Sequence, residues 1–139
     1  MNGVSCSPQH AIDMVWDGGV STTGVADGTV VTNQNVDRLL PEQLLLLAAQ
    51  RSVLDTLLTA ARELDVQLLG YVSSAHYEPS PDGRIASKIT LRPCIVVASA
   101  LDAGRAERAL QSAVARSVVG SLLGDRLQLH SDIQLESVA

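Results

Sequence analysis

The chain predicts an α+β fold. Short, β-prone pieces open it, one long apolar helix occupies its middle, and a hairpin, a second helix and a closing strand follow. Its 139 residues fit one domain, 1–139, and 46 % hydrophobic content is enough to build a core. That core is aliphatic, because the sequence holds one Trp, two Tyr and no Phe.

The element order follows from local patterns. His10-Ala-Ile-Asp-Met-Val-Trp16 alternates, with His10, Ile12, Met14 and Trp16 on one side. Asp17-Gly18 and Asp27-Gly28 are turn signals between Val- and Thr-rich pieces, so residues 9–33 read as two or three strands of an antiparallel meander. Pro41 suits a first helical position and Glu42 suits a first turn. No Gly or Pro interrupts Leu44 to Leu64, so a helix is predicted over 41–64, about 36 Å long at 1.5 Å per residue. Leu44 to Ala49 is apolar all round and is expected to be buried on every side. Leu40 offers this helix no side-chain cap.

Residues 66–78 and 84–99 form the arms of a hairpin around Pro79-Ser-Pro-Asp-Gly83. Pro93 in the second arm indicates an edge or a bulge. A second helix is expected over about 103–123, with Asp102 as its cap and Gly124 as its stop. Its apolar stripe is Ala106, Leu110, Ala113, Val114, Val118 and Leu122. The last strand alternates, with Leu127, Leu129, Ile133 and Leu135 on one face and Gln128, His130, Asp132, Gln134 and Glu136 on the other.

Composition excludes several functions. The net charge is −5 and Lys88 is the one lysine, so no basic footprint for nucleic acid exists. The scarcity of aromatics removes base-stacking platforms. The first 37 residues carry Asp13, Asp17, Asp27 and Asp37 but no Lys or Arg, which is unlike a signal peptide. The longest wholly apolar run, Leu44 to Ala49, is short of a membrane span. The expectation is a cytoplasmic protein without nucleic-acid or membrane partners. Cys6 and Cys94 fit neither a CxxC pair nor a zinc site, and the spacing of His10, His76 and His130 suits no metal. Cys94, in the run Cys94-Ile95-Val96-Val97, reads as a small buried hydrophobe. No cofactor is implied.

The stretch Pro41-Glu-Gln-Leu-Leu-Leu-Leu-Ala-Ala49 resembles the Asn-Pro-Glu-(Glu/Gln)-Leu-Leu-Ala-Ala opening of the central helix in the OsmC/Ohr family. The element order resembles that family over most of the chain. The resemblance implies antiparallel sheets around two long helices, an intertwined homodimer and a role in organic hydroperoxide resistance under oxidative stress. In the enzymatic members one cysteine attacks the peroxide and a second resolves the sulfenic acid. The first follows the motif's Glu by ten residues, which is Ser52 here. The second opens a stretch best matched by Ser117-Val118-Val119-Gly120, so serine stands at both positions. The family's N-terminal Arg is absent, since no Arg precedes Arg38, and Glu42 remains.

A serine hydroxyl neither ionises near neutral pH nor passes through a sulfenic state. No Gly-x-Ser-x-Gly elbow or adjacent histidine makes either serine a hydrolase nucleophile. Both serines also read as packing residues. Ser52 shares a stripe with Leu45, Ala48, Ala49 and Thr56, and Ser117 with Leu110, Ala113, Val114 and Ser121. Three readings stand open: a non-enzymatic OsmC-like dimer that binds a small apolar ligand at the dimer interface or serves a regulatory role, with Glu42, Ser52 and Ser117 at the site; a hydroperoxide reductase using Cys6 or Cys94; and a structural or partner-binding module. Glu42 is expected to be partly exposed, or paired with Arg38, Arg51 or Arg116. Any ligand is expected to be apolar, and uncharged or cationic.

Overall fold

The computed structural model describes residues 11–16, 22–26, 29–32, 34–79 and 86–136. Cys6, His10, the Asp17-Gly18 and Asp27-Gly28 turns and the hairpin tip at 80–83 lie outside the described residues.

The elements run β1 (Ala11–Trp16), β2 (Thr22–Ala26), β3 (Thr29–Val30), α1 (Pro41–Glu63), β4 (Leu68–Pro79), β5 (Ala86–Val97), α2 (Ala100–Arg116), α3 (Val118–Leu123), β6 (Leu127–Leu129) and β7 (Asp132–Leu135). Strands β3-β2-β1-β4-β5 pair antiparallel in that order, and β6 and β7 both join the free edge of β5. The sheet is therefore mixed. Both C-terminal strands run parallel to β5, in the register Ile89↔Leu127 and Cys94↔Asp132.

The expected single closing strand is broken at His130-Ser131. The break lies opposite Pro93, and backbone directions explain it. His130 N–H donates to the Leu91 carbonyl at 2.9 Å and Glu136 N–H to the Val97 carbonyl at 2.8 Å. Odd-numbered residues of β5 thus turn their amide groups toward this edge. Pro93 has no N–H to give there, so the ladder is interrupted beside it. Pro93 accordingly sits in an interior strand, at a gap in its neighbour rather than at an edge or bulge.

Helices α1 and α2 cover one face of the sheet. Helix α1 lies over β1 and β4, and α2 packs on α1 and reaches β5 and β7. Met14, Trp16, Tyr71, Ala75, Leu91 and Ile95 face them from the strands. Leu46, Val53, Leu54 and Leu57 of α1 and Ala106, Ala109, Leu110 and Ala113 of α2 complete the core. A fully buried leucine side chain stabilises by roughly 1.5–3 kcal/mol relative to exposure, so the leucines of α1 anchor the sandwich. Gly24 opposes Met14 across the ladder, and a Cβ there would come within 3.0 Å of Leu47, a close approach of helix to strand. The most apolar 18-residue window of α1 has mean hydropathy 1.4, long and apolar enough to cross a membrane by composition. Its packing is that of a core helix.

Several local expectations change. The Leu44 to Ala49 turn is not buried on every side, because the sheet covers one flank only. Leu44 and Leu45 are 41 % and 37 % exposed, and Ala48 is exposed too. Leu40 does lack a capping side chain, and its own N–H is taken by Gln43 Oε1 at 2.9 Å. Helix α2 begins at Ala100, capped by the Ser99 hydroxyl, which accepts the Asp102 N–H at 3.2 Å; Asp102 is not the cap. The second helix is also not continuous to residue 123. Ser117 is extended (φ −72°, ψ 143°) and divides it in two. The change of axis carries Val118 and Leu122 out of the core stripe, to 71 % and 80 % exposure. Gly124 stops α3 as expected, with φ 57°.

Candidate functional site

Ser52 and Ser117 meet at the N-terminus of α3. Ser52 lies on the flank of α1 that faces the α2–α3 junction, and Ser117 is the last residue of one helix and the cap of the next. Ser117 Oγ accepts the Gly120 N–H at 2.8 Å, and Ser52 Oγ accepts the Val119 N–H at 3.5 Å. Both hydroxyls thus serve N–H groups of the same first turn, which have no partner within their own helix. Ser117 is fully buried and Ser52 half-buried.

The surroundings hold this junction rigidly. One turn beyond Ser52, the Thr56 hydroxyl lies 3.0 Å from the Ala113 carbonyl, which also accepts the Ser117 N–H at 2.9 Å. Gly120 has no room for a side chain. A Cβ there would lie 2.4 Å from Ser117 Oγ and 2.6 Å from the Val114 carbonyl oxygen. The arginines preceding the two serines turn elsewhere: Arg51 pairs with Asp55 at 3.0 Å and Arg116 with Glu63 at 2.7 Å. No basic side chain from these positions approaches the hydroxyls.

Glu42 stands apart from this pair within the chain. It precedes Ser52 by ten residues, about 15 Å along α1. It is partly exposed, and neither Arg38, Arg51 nor Arg116 pairs with it. It lines a cavity of about 310 Å³ with Pro41 and Leu45 of α1, Tyr77 of β4, Lys88 and Ile89 of β5, and Leu123 and Arg126. This volume is at the small end of the range for small-molecule pockets. Lys88 and Arg126 escaped the sequence reading. The parallel register Ile89↔Leu127 brings the two stretches of chain to the same end of the sheet, and nothing local in the sequence announces that pairing.

Cys94 is half-buried and does not point into the core. It lies on the outer face of the sheet, between Val72 of β4 and Asp132 of β7. Burial pushes its thiol pKa up, and the Asp132 charge adds to the rise. That is the reverse of an activated thiolate, which needs a nearby positive charge or helix N-terminus. His76 lies in β4, and His130 is exposed between β6 and β7.

A second buried polar group lies under α1. The Ser73 hydroxyl donates to Gln50 Oε1, and Gln50 Nε2 donates to the Leu46 carbonyl at 3.3 Å. Tyr71 beside them is 1 % exposed, and its hydroxyl has no hydrogen-bond partner among the described residues. Burial pushes the phenol up to about 12, and the neighbouring Ser73 hydroxyl offsets a small part of the rise.

No protein-family model and no curated protein matches the sequence. Solved structures do match the fold. An OsmC-like protein from Mycoplasma pneumoniae is 16 % identical with a TM-score of 0.60, over 92 % of this chain and 97 % of that one. An organic hydroperoxide resistance protein from Elizabethkingia anophelis is 11 % identical with a TM-score of 0.55, over 86 % and 85 %. The organic hydroperoxide resistance protein OhrB of Bacillus subtilis is 16 % identical with a TM-score of 0.52, over 86 % and 96 %. The chain has the OsmC-like fold, as the helix motif at Pro41 and the element order implied.

Proposed function

We propose that this OsmC-fold chain is a divergent relative of the organic hydroperoxide resistance proteins that has given up thiol peroxidase chemistry and binds a small apolar ligand as a soluble, cytoplasmic homodimer. The observation that carries this reading is the pairing of Ser52 with Ser117. The resemblance puts the two redox cysteines at these positions, and the fold brings the two together at one helix end. Here both side chains are hydroxyls, and each accepts a backbone N–H of α3. Oxygen at the attacking position leaves no sulfenic acid to resolve, so every later step of the cycle lacks its substrate.

The dimer follows from what one chain leaves uncovered. Leu44 and Leu45 on α1 and Val118 and Leu122 on α3 are exposed. Apolar groups left open on the helical layer suit burial against a second copy by a two-fold axis. Light scattering is expected to give twice the 14.6 kDa chain mass at micromolar concentration; a stable monomer would remove the dimer from the reading.

A steady-state assay with cumene or tert-butyl hydroperoxide and a dithiol reductant tests the loss of chemistry. No turnover above a protein-free blank is expected. Dithiol-dependent peroxide loss that disappears in Cys6→Ser or Cys94→Ser would show instead that the redox chemistry has moved to another thiol.

A further inference from the structure

Helices α1 and α2 pack on one face of the sheet and leave the other open. Alternation along the strands turns Asp13 and Val15 of β1, Val72 and Ser74 of β4, and Arg92 and Cys94 of β5 to the open face. The register sets them in two rows, Val15–Val72–Cys94 and, one step along, Asp13–Ser74–Arg92. The first row is apolar: Val15 is 37 % and Val72 49 % exposed, and Cys94 is half-buried. Asp132, at the far end of that row, lies at its rim. The second row is charged at both ends. Asp13 and Arg92 are exposed, flank β4 on opposite sides, and make no ion pair among the described residues. Neighbouring strands lie about 4.8 Å apart, so the backbones of these two residues stand roughly 10 Å apart with Ser74 between them.

We propose that this open face docks a second copy of the chain, sheet to sheet, about a two-fold axis that runs along β4. Such an axis keeps the level along the strands and exchanges the two flanks of β4. Asp13 of each copy then lies opposite Arg92 of the other, and Val72 lies on Val72. Charge selects this axis. A two-fold axis across the strands at the level of Ser74 would stack Asp13 on Asp13 and Arg92 on Arg92, and facing like charges oppose association. Facing sheets keep their strands within about 30°, which leaves both ion pairs within reach of the long arginine side chain. The apolar row forms the centre of the contact and the two ion pairs its rim. The patch is small, so the association is weak and concentration-dependent. It lies on the face opposite the exposed leucines of α1 and does not depend on the helical-layer dimer. A chain that uses both faces assembles as an open series and not as a closed ring.

Sedimentation of the full-length chain from micromolar to millimolar concentration tests the inference. The mass of the dilute species is expected to rise in multiples of itself, and this holds for a dilute monomer and a dilute dimer alike. Asp13→Arg and Arg92→Asp should each weaken the association by at least about tenfold, and the double variant should regain it. Both residues are exposed, so circular dichroism should show the fold unchanged. Val72→Cys, in a chain with Cys6 and Cys94 replaced by Ser, should cross-link to its own copy under mild oxidant, since a disulfide can bridge two facing sheets. Single reversals without effect, or a double reversal that fails to restore association, would overturn the axis and its charge pairing. A mass that stays constant up to millimolar concentration would overturn the docking surface itself and leave the helical-layer dimer untouched.

Discussion

Ser52 and Ser117, 65 residues apart (117 − 52), place their hydroxyl oxygens on consecutive backbone N–H groups of α3, at 3.5 Å on Val119 and 2.8 Å on Gly120. Two side chains from different helices thus cap one helix terminus. The shorter contact belongs to the buried residue and carries more of the energy. Ser117→Ala is expected to destabilise the chain by about 1 kcal/mol, the ordinary cost of losing an N-cap, with the buried Gly120 N–H left unpaired. Ser52→Ala should cost about half as much or less, since 3.5 Å is a weak bond on a half-buried group. Urea denaturation of the two variants checks the order. An equal or reversed effect would mean that the cap is not what the serines provide.

Gly120 makes the same junction sensitive from the other side. Its missing side chain leaves room for Ser117 Oγ and the Val114 carbonyl, both of which a Cβ would overlap. Gly120→Ala is expected to cost more than Ser117→Ala, on the order of 2–3 kcal/mol, despite alanine's better helix propensity. The double variant should not recover wild-type stability, because the Val114 clash is with backbone. Thermal melts of the single and double variants measure both points.

The cysteine pattern can be restored. Ser52→Cys is expected to be tolerated, since the volume change is small and cysteine packs well in a core, and Ser117→Cys to fold at a cost of up to about 1 kcal/mol, because a thiol is a weak cap for the Gly120 N–H. Oxidation of the double variant should form an intramolecular disulfide, which needs Cα atoms within about 7 Å. A shift on non-reducing electrophoresis and the loss of titratable thiols report it. A double variant that keeps both new thiols under mild oxidant would show that the side chains meet α3 without meeting each other.

What the sequence disclosed was local, and what it hid was long-range. Helix α1 was legible to within a residue, because Pro41 and Glu42 mark its start and an unbroken apolar run follows. The break at Ser117 was hidden, because Val118 and Leu122 continue the helical period of Ala106, Leu110 and Ala113. A serine three residues before Gly120 inside an apolar run was the available signal. Alternation placed Leu127, Leu129 and Ile133 on the half-buried face, yet it cannot tell a parallel partner from an antiparallel one. The same blindness hid part of the cavity's lining, since only the pairing of β5 with β6 brings the chain at Arg126 to the end of the sheet where Ile89 lies. The serine pair was legible through the resemblance alone. Its role as a double cap depends on an angle between helices that no local pattern encodes.

Acid should loosen the contact between the C-terminal ends of α1 and α2. Arg116 Nη1 donates to Glu63 Oε1 at 2.7 Å. That hydrogen bond, and then the guanidinium charge, hold the Glu63 carboxyl below its usual 4.5. A depressed carboxylate contributes stability that is present above its unfolded value and is lost as pH falls through its folded value. Glu63→Gln should therefore be slightly less stable than wild type at neutral pH, with the difference closing as pH drops through and below about 4.5. Both groups are exposed, so the difference should be small and should shrink in molar salt. Urea midpoints of both proteins across pH 3–7, at two salt concentrations, make the comparison.

Tyr71 predicts the opposite pH edge. Its ring is buried against α1, its hydroxyl has no partner among the described residues, and burial pushes its pKa up to about 12 from an ordinary 10. The folded chain therefore holds the proton more tightly than the unfolded chain. Its contribution is fully present below pH 10 and declines as pH rises from 10 towards 12, by an amount on the order of 2 kcal/mol. Tyr71→Phe removes both the titration and the cost of a buried, unbonded hydroxyl. The variant should match or exceed wild-type stability at pH 7, by up to about 1 kcal/mol, and should keep its stability better between pH 10 and 12. Absorbance at alkaline pH provides a direct check, because the sequence has only two tyrosines. One phenolate is expected to appear with the late transition or with unfolding, and Tyr71→Phe should delete it. Early ionisation of both tyrosines without unfolding would show that the Tyr71 hydroxyl reaches solvent, and that the face of β4 beneath α1 is more open than its packing indicates.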